Sequence, residues 1–279
     1  VTSDFVREAE AVGRRITAER PLLLIGAGNM GGAMLEGWLN GGMDPQAVIV
    51  VDPTADLDAL RRPGLRILKE PPAIVAHTIL LAVKPQIMGE VLPQLTANVD
   101  DETVIVSIAA GITVAKLKEL GRGPIVRSIP NTPSSIGQGM TAAVAIDASD
   151  EVVATADELL GALGKVAWVD DEALIDAATA VSGSGPAYVF HMVEAMTAAG
   201  IKAGLPADVS ETLARQTVIG AGALLARSPL DPATLRRNVT SPGGTTAAAL
   251  SVLADTGALT ELMTKAVDAA AKRSRELGS

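Results

Sequence analysis

Apolar positions change their spacing along this chain of 279 residues. At 22–26, 47–52, 65–68, 78–83 and 103–108 they form short continuous runs, separated by helical or polar stretches. Such runs predict strands buried on both faces, and their alternation with helices predicts a parallel sheet with right-handed crossovers. Residues 139–146 alternate and predict a further strand, 151–163 a helix, and 165–169 a last short strand. Beyond Asp170 the strand signal stops, and Ala and Leu recur at helical spacing to the end of the chain. The pattern therefore divides into a doubly wound α/β sheet at 21–170 and an all-α domain at 171–279. Ahead of them, Phe5, Val6, Ala9, Val12 and Ile16 predict an appended amphipathic helix in an extension at 1–20.

Composition narrows the partners. Apolar residues make up 48% of the chain, yet no uninterrupted apolar stretch approaches the ~18 residues that a membrane span requires. A net charge of −9 with 2% aromatic residues and no basic cluster argues against nucleic acid and against anionic membranes. The absence of cysteine excludes disulfides and thiolate chemistry, and two distant histidines, His77 and His191, suggest no metal site. Residues 1–20 are charged throughout and lack a signal-peptide layout, so the expected compartment is the cytoplasm.

Candidate chemistry begins where the first strand breaks into Gly26-Ala27-Gly28-Asn29-Met30-Gly31. Gly26 allows a tight turn, Gly28 lets a pyrophosphate approach the backbone, and Gly31 lets a helix pack on the strand. That helix would aim free N–H groups at the phosphates; the alternative is a buried turn of small residues. Asp52, ending the second strand, would accept from ribose hydroxyls and repel a 2′-phosphate, which leans towards NADH over NADPH. It is also placed to cap a helix opened by Pro53. In a sheet of this kind ligands lie at the carboxyl ends of the strands. Ala82-Val83-Lys84-Pro85 and Ser107-Ile108-Ala109-Ala110-Gly111 end two of them, with a solvated lysine and close loop packing as the plainer readings. Arg127-Ser128-Ile129-Pro130-Asn131-Thr132-Pro133 follows an apolar pair, and its two prolines bracket Asn131 and Thr132 in a rigid turn.

In the helical part, Val181-Ser182-Gly183-Ser184-Gly185-Pro186-Ala187-Tyr188 interrupts a helical pattern, either for close packing or for ligand contact. Val239-Thr240-Ser241-Pro242-Gly243-Gly244-Thr245-Thr246 opens a helix at 245–254. Its unpaired N–H groups, with no basic residue nearby, suit a carboxylate; ordinary capping by Ser241 or Thr240 is the alternative. Met192 and Met196 mark a packed helix face.

Read together and in this order, these motifs resemble those of pyrroline-5-carboxylate reductases, over residues 21 to 277. The resemblance implies a Rossmann-type domain followed by an all-helical dimerisation domain, with further assembly of dimers into a decamer. It implies reduction of the C=N bond of Δ1-pyrroline-5-carboxylate to L-proline by NADPH or NADH. Carried over residue by residue, Gly26, Ala27, Gly28, Asn29, Met30 and Gly31 would hold the pyrophosphate. Ala82, Val83, Lys84, Pro85, Ser107, Ala109, Ala110 and Gly111 would line the path to the nicotinamide, and Asn238 would meet its end from a partner subunit. Ser241, Gly243, Gly244, Thr245 and Thr246 would bind the substrate carboxylate, with Thr246 nearest the ring nitrogen as the catalytic residue. Glu172 matches an acidic position near the ligands. Asp52 departs from the family's frequent Ser or Thr, which puts its common NADPH use in question.

A protonated imine is already electrophilic, so proximity and orientation suffice and no strong general acid is required. The expected geometry has two helix N-termini facing each other across a hydride transfer, one on a pyrophosphate and one on a carboxylate. Two other readings share the first domain. A β-hydroxy acid dehydrogenase would use a lysine inside the helical domain, whereas Lys202 stands at a helix end before Gly204-Leu205-Pro206. A nucleotide-sensing protein would lack the second anion site.

Overall fold

In the computed structural model the described residues are 16–54, 58 and 61–278. The helix expected at 1–20 falls mostly outside them; within it, residues 16–20 form bends, not a helix. The chain divides into two compact units: residues 1–183 with 271–279, and residues 184–270.

The first unit is built on an eight-stranded sheet. Its strands are β1 (Leu22–Ile25), β2 (Val48–Val51), β3 (Arg66–Leu68), β4 (Thr78–Leu81), β5 (Val104–Ser107), β6 (Ile125–Ile129), β7 (Gly139–Ile146) and β8 (Gly164–Trp168). The spatial order β3-β2-β1-β4-β5-β6 is the doubly wound order, with β7 and β8 added beyond β6. Alternate residues of β1 explain the unbroken apolar run: Leu22 and Leu24 enter one core, Leu23 and Ile25 the other. The first core is closed by helix α1 (Asn29–Asn40), through Met34, Leu35 and Trp38, and by α4 (Asp150–Gly161), through Leu159 and Leu160. Trp38 also donates its indole N–H to the Leu159 carbonyl at 2.8 Å. The second is closed by Met88, in the short helix α2 (Met88–Val91), and by Leu117, in α3 (Val114–Leu117).

The sheet is not parallel throughout. β6, of which the sequence showed only an apolar pair, runs antiparallel to β7, whereas β7 and β8 are parallel to each other. The reversal follows from the link at 130–138, which is too short for a parallel crossover of a dozen residues or more. It turns through a 3₁₀ helix at Thr132–Ile136 that ends on Gly137 at φ 67°.

Strand structure stops at Trp168, but the first unit continues. Helix α5 (Leu174–Ala178) and a π-helical turn at Thr179–Gly183 keep Ile175 and Ala180 buried. Packing thus divides the chain at Gly183, later than the change of hydrophobic period at 170.

The second unit contains α6 (Gly185–Lys202), α7 (Ala207–Arg227), α8 (Pro232–Asn238), α9 (Thr245–Leu253) and most of α10 (Ala258–Leu277). α6 and α7 pack on each other where Gly200 admits Ser210, whose hydroxyl donates to the Thr197 carbonyl at 2.8 Å. Little else is buried. α6 has no buried residue and α7 only Ser210 and Ala214, while Phe190, Leu213, Ile219 and Val252 are more than half exposed. Met192 and Met196, expected on a packed face, are also exposed within the single chain. A helical unit with so much uncovered apolar surface has the anatomy of an interface.

Candidate active site

The carboxyl edge of the sheet is shaped by the β1–α1 turn. Gly26 has φ +89°, and a Cβ there would lie 2.9 Å from the Ala82 carbonyl oxygen and from a Val83 methyl. At Gly31 a Cβ would fall against the Gly26 carbonyl oxygen and 3.2 Å from Ala82 Cβ. Gly28 differs: nothing lies within 4 Å of where its Cβ would stand. The first and third glycines are thus consumed by the fold, and the middle one faces open space. α1 starts at Gly28 without a side-chain cap, so the N–H groups of its first turn are available to an anion. Asn29 is exposed and Met30 half-buried beside that opening. These features fit the pyrophosphate of a dinucleotide.

Asp52 occupies the end of β2 and is already engaged. One carboxylate oxygen accepts from the Ala27 N–H at 2.8 Å, and the other from the N–H and hydroxyl of Thr54, at 2.8 and 3.0 Å. The acid therefore ties the glycine turn to the neighbouring strand end. The helix that Asp52 was expected to cap runs into residues 55–57, 59 and 60, which lie outside the described residues.

Ala82 and Val83 leave the end of β4 half-buried, Lys84 is exposed, and Pro85 begins a 3₁₀ turn. Ser107 is fully buried, and its hydroxyl accepts the Ala109 N–H at 3.2 Å while its carbonyl accepts from Ser128 at 2.9 Å. Its side chain shapes the turn instead of lining an open surface. Ala110 is exposed, and Gly111 turns with φ +74° where a Cβ would approach the Leu277 carbonyl at 3.2 Å.

Glu172, expected beside the ligands, has other partners. Its Oε1 accepts from the guanidinium of Arg127 at 2.6 Å and from the Val114 N–H at 2.8 Å. Arg127, which sequence reasoning passed over, is a buried arginine in β6, opposite Ser107 in strand register. An arginine between apolar strand residues was the available signal. Asn131 likewise joins two segments: its amide donates to the Ser182 carbonyl at 3.0 Å, and its oxygen accepts the Met140 N–H at 2.9 Å. The glycine and proline stretch at 181–188 is accommodated by the π-helical turn, after which Pro186 sits in the first turn of α6, where its missing N–H costs nothing.

The second candidate site lies in the helical unit. Gly243 has φ +70° with open space at its Cβ position, and Gly244 closes a turn by donating to the Ser241 carbonyl at 3.1 Å. Gly244 is the N-cap of α9, and no side chain caps that helix. Thr240 donates instead to the Arg236 carbonyl. Capping by Ser241 or Thr240 is thus excluded, and the first turn of α9, with Thr245 and Thr246, presents unpaired N–H groups. Asn238 ends α8, is exposed, and belongs to a helix capped by Asp231, whose carboxylate accepts from the Thr234 N–H at 2.9 Å. The bonds from Thr234 hold the Asp231 carboxyl below the usual aspartate range. The cap is therefore complete above the ordinary aspartate pKa and is lost as pH falls through the lowered value.

Comparison with known proteins decides what these features belong to. Residues 172–277 match the model for pyrroline-5-carboxylate reductase dimerisation, and residues 22–111 that for NADP oxidoreductase, coenzyme F420-dependent. The pyrroline-5-carboxylate reductase of Haemophilus influenzae is 40% identical over 267 residues, covering 92% of this chain and 97% of that one. The chain belongs to the pyrroline-5-carboxylate reductase family. Among solved structures, a pyrroline-5-carboxylate reductase from Coxiella burnetii superposes with a TM-score of 0.87 at 35% identity, covering 94% of this chain and 99% of that one. The pyrroline carboxylate reductase of Plasmodium falciparum, solved with NADP bound, gives 0.72 at 29% identity, covering 94% and 100%. Family membership accounts for the two-part architecture: a pyridine-nucleotide domain and a dimerisation domain whose apolar helices are uncovered in one chain. No helix among the described residues is long and apolar enough to cross a membrane.

Proposed function

We infer that this chain catalyses the reduction of Δ1-pyrroline-5-carboxylate to L-proline, the last step of proline biosynthesis, with a reduced pyridine nucleotide. The observation that carries the reading is the uncapped start of α9 in Ser241-Pro242-Gly243-Gly244-Thr245-Thr246, whose first-turn N–H groups suit a carboxylate. When bound, the reduced nicotinamide supplies a hydride to the imine carbon. Gly28, Asn29 and Met30 offer backbone to the pyrophosphate, and the turn at Ala109, Ala110 and Gly111 lies along the nicotinamide path, with Ala82 to Pro85 beside it. N–H groups of Thr245 and Thr246 hold the substrate carboxylate, and the Thr246 hydroxyl bonds the ring nitrogen as its positive charge is discharged. The nitrogen proton is carried in by the iminium, so no acid on the protein has to deliver one. Orientation is the protein's contribution. Purified protein is expected to oxidise NADH or NADPH only when pyrroline-5-carboxylate is present; no turnover with either nucleotide across pH would overturn the reading. Tightened binding of proline in the presence of nucleotide separates it from a nucleotide sensor.

The choice of nucleotide turns on Asp52. Its acceptor oxygens are engaged by Ala27 and Thr54, but its negative charge remains and favours NADH over a 2′-phosphate. Asp52→Ser is expected to raise kcat/KM with NADPH relative to NADH by about tenfold, roughly 1.4 kcal/mol. A wild type that already prefers NADPH strongly would remove the charge argument and leave the reaction intact.

Self-association is the remaining part of the reading: a dimer through α6, α7 and α9, dimers assembling further into a decamer, an enzyme of the cytoplasm. Asn238 then reaches the nicotinamide end from the partner subunit. Phe190, 63% exposed in the single chain, is the test. Phe190→Glu is expected to shift sedimentation from the assembled form towards monomer; an unchanged profile would place the interface elsewhere.

A further inference from the structure

We propose that Arg127 and Glu172 are positioning residues that fix the turn at Ala109–Thr113 for nucleotide binding, and that Glu172 acts there without touching the substrate. The proposal rests on the nucleotide reading of this sheet edge. Arg127 is 7% exposed in its side chain and stands directly beside Ser107, the last residue of β5 and the start of that turn. A guanidinium so buried requires a paired anion, because an uncompensated buried charge is strongly unfavourable. Glu172 supplies it through Oε1 at 2.6 Å. The same oxygen accepts the N–H of Val114, the first residue of α3, where the turn ends. One carboxylate oxygen thus joins the strand beside the turn's beginning to the helix at its end. Thr113 caps α3 by accepting the Lys116 N–H at 3.3 Å, and Ser107 holds Ala109 from within, so the intervening residues are held at both ends. Within this cluster Glu172 is the less buried partner, its side chain 31% exposed, and the oxygen that bonds is Oε1, turned towards Arg127 and Val114.

Glu172→Gln keeps an oxygen for Val114 and removes the charge that balances Arg127. In the nucleotide-free variant, amide hydrogen exchange at 109–114 is expected to quicken by about tenfold. The Kd for NADH, by fluorescence titration, is expected to rise by a similar factor, while KM for pyrroline-5-carboxylate at saturating nucleotide stays within about twofold. Adding Arg127→Met removes the stranded charge and is expected to restore most of the nucleotide affinity; this double variant also serves if the single one does not fold. An unchanged nucleotide Kd with a raised KM for the imine, not rescued at Arg127, would overturn the proposal and place Glu172 on the substrate. Wild-type protein that binds neither nucleotide would fail the functional reading instead, and the exchange rates at 109–114 would then still decide whether the pair holds the turn.

Discussion

Gly28→Ala is expected to fold as the wild type does and to bind NADH and NADPH about thirtyfold more weakly, a loss of roughly 2 kcal/mol. The position has φ −64°, which alanine adopts without strain, and nothing lies within 4 Å of the added methyl. Neither packing nor backbone conformation opposes the substitution. On the proposed reading, the methyl occupies the space through which a pyrophosphate reaches the N–H groups of α1. Gly31→Ala is the contrasting variant: its methyl meets the Gly26 carbonyl and Ala82 inside the fold. It is expected to cost ~2 kcal/mol of stability by overpacking, lowering Tm as well as nucleotide affinity. Melting curves and nucleotide titrations on the two proteins check both. Equal nucleotide affinity in Gly28→Ala and wild type would show that the open face of the turn is not where the phosphates lie.

Thr245→Asp is expected to move stability and activity in opposite directions. An acidic residue in the first turn of a helix interacts favourably with its dipole, by about 0.5 kcal/mol at an exposed site, so Tm should hold or rise slightly. The same carboxylate competes for the N–H groups of α9 and repels a substrate carboxylate, so kcat/KM for pyrroline-5-carboxylate should fall by two orders of magnitude or more, about 3 kcal/mol. Because the nucleotide's phosphates are assigned to α1, the NADH Kd should be unchanged. Full activity in a well-folded Thr245→Asp would show that α9 does not receive the substrate. The uncapped start of that helix would then need another explanation, since unpaired N–H groups at a helix end are ordinarily met by a side chain, water or a ligand.

Much of the fold was legible in the order of the residues. The apolar runs at 22–26, 47–52, 78–83 and 103–108 specify strands locally, because a strand buried on both faces reads as a near-continuous apolar run. The glycine turn carried its own explanation, and the structure separates its members into two that serve the fold and one that faces outward. The last strands were less legible in direction: whether β7 runs with or against β6 depends on the length and bend of residues 130–138, not on the strands themselves. At 240–246, hydroxyls and glycines before a helix pointed to either an anion site or a self-capped helix, and which of the two Ser241 and Thr240 leave open required coordinates. Arg127 was passed over because its partner lies at Glu172, far away in sequence.

The sequence by itself determined the alternation of strands and helices, the two-part organisation and the family, since each follows from periodicities and motifs read within a few tens of residues. Only the tertiary structure decided which polar atoms are already satisfied. It committed Asp52 to Ala27 and Thr54, Ser107 to Ala109, and Glu172 to Arg127 and Val114, while leaving the first turns of α1 and α9 uncapped. The reason is physical: a residue's capacity to bind is a property of its type, but whether that capacity is spent depends on the local turn geometry, as for Ser107 with Ala109 and Asp52 with Thr54, and on neighbours that folding brings from distant parts of the chain, as for Asp52 with Ala27 and Glu172 with Arg127 and Val114.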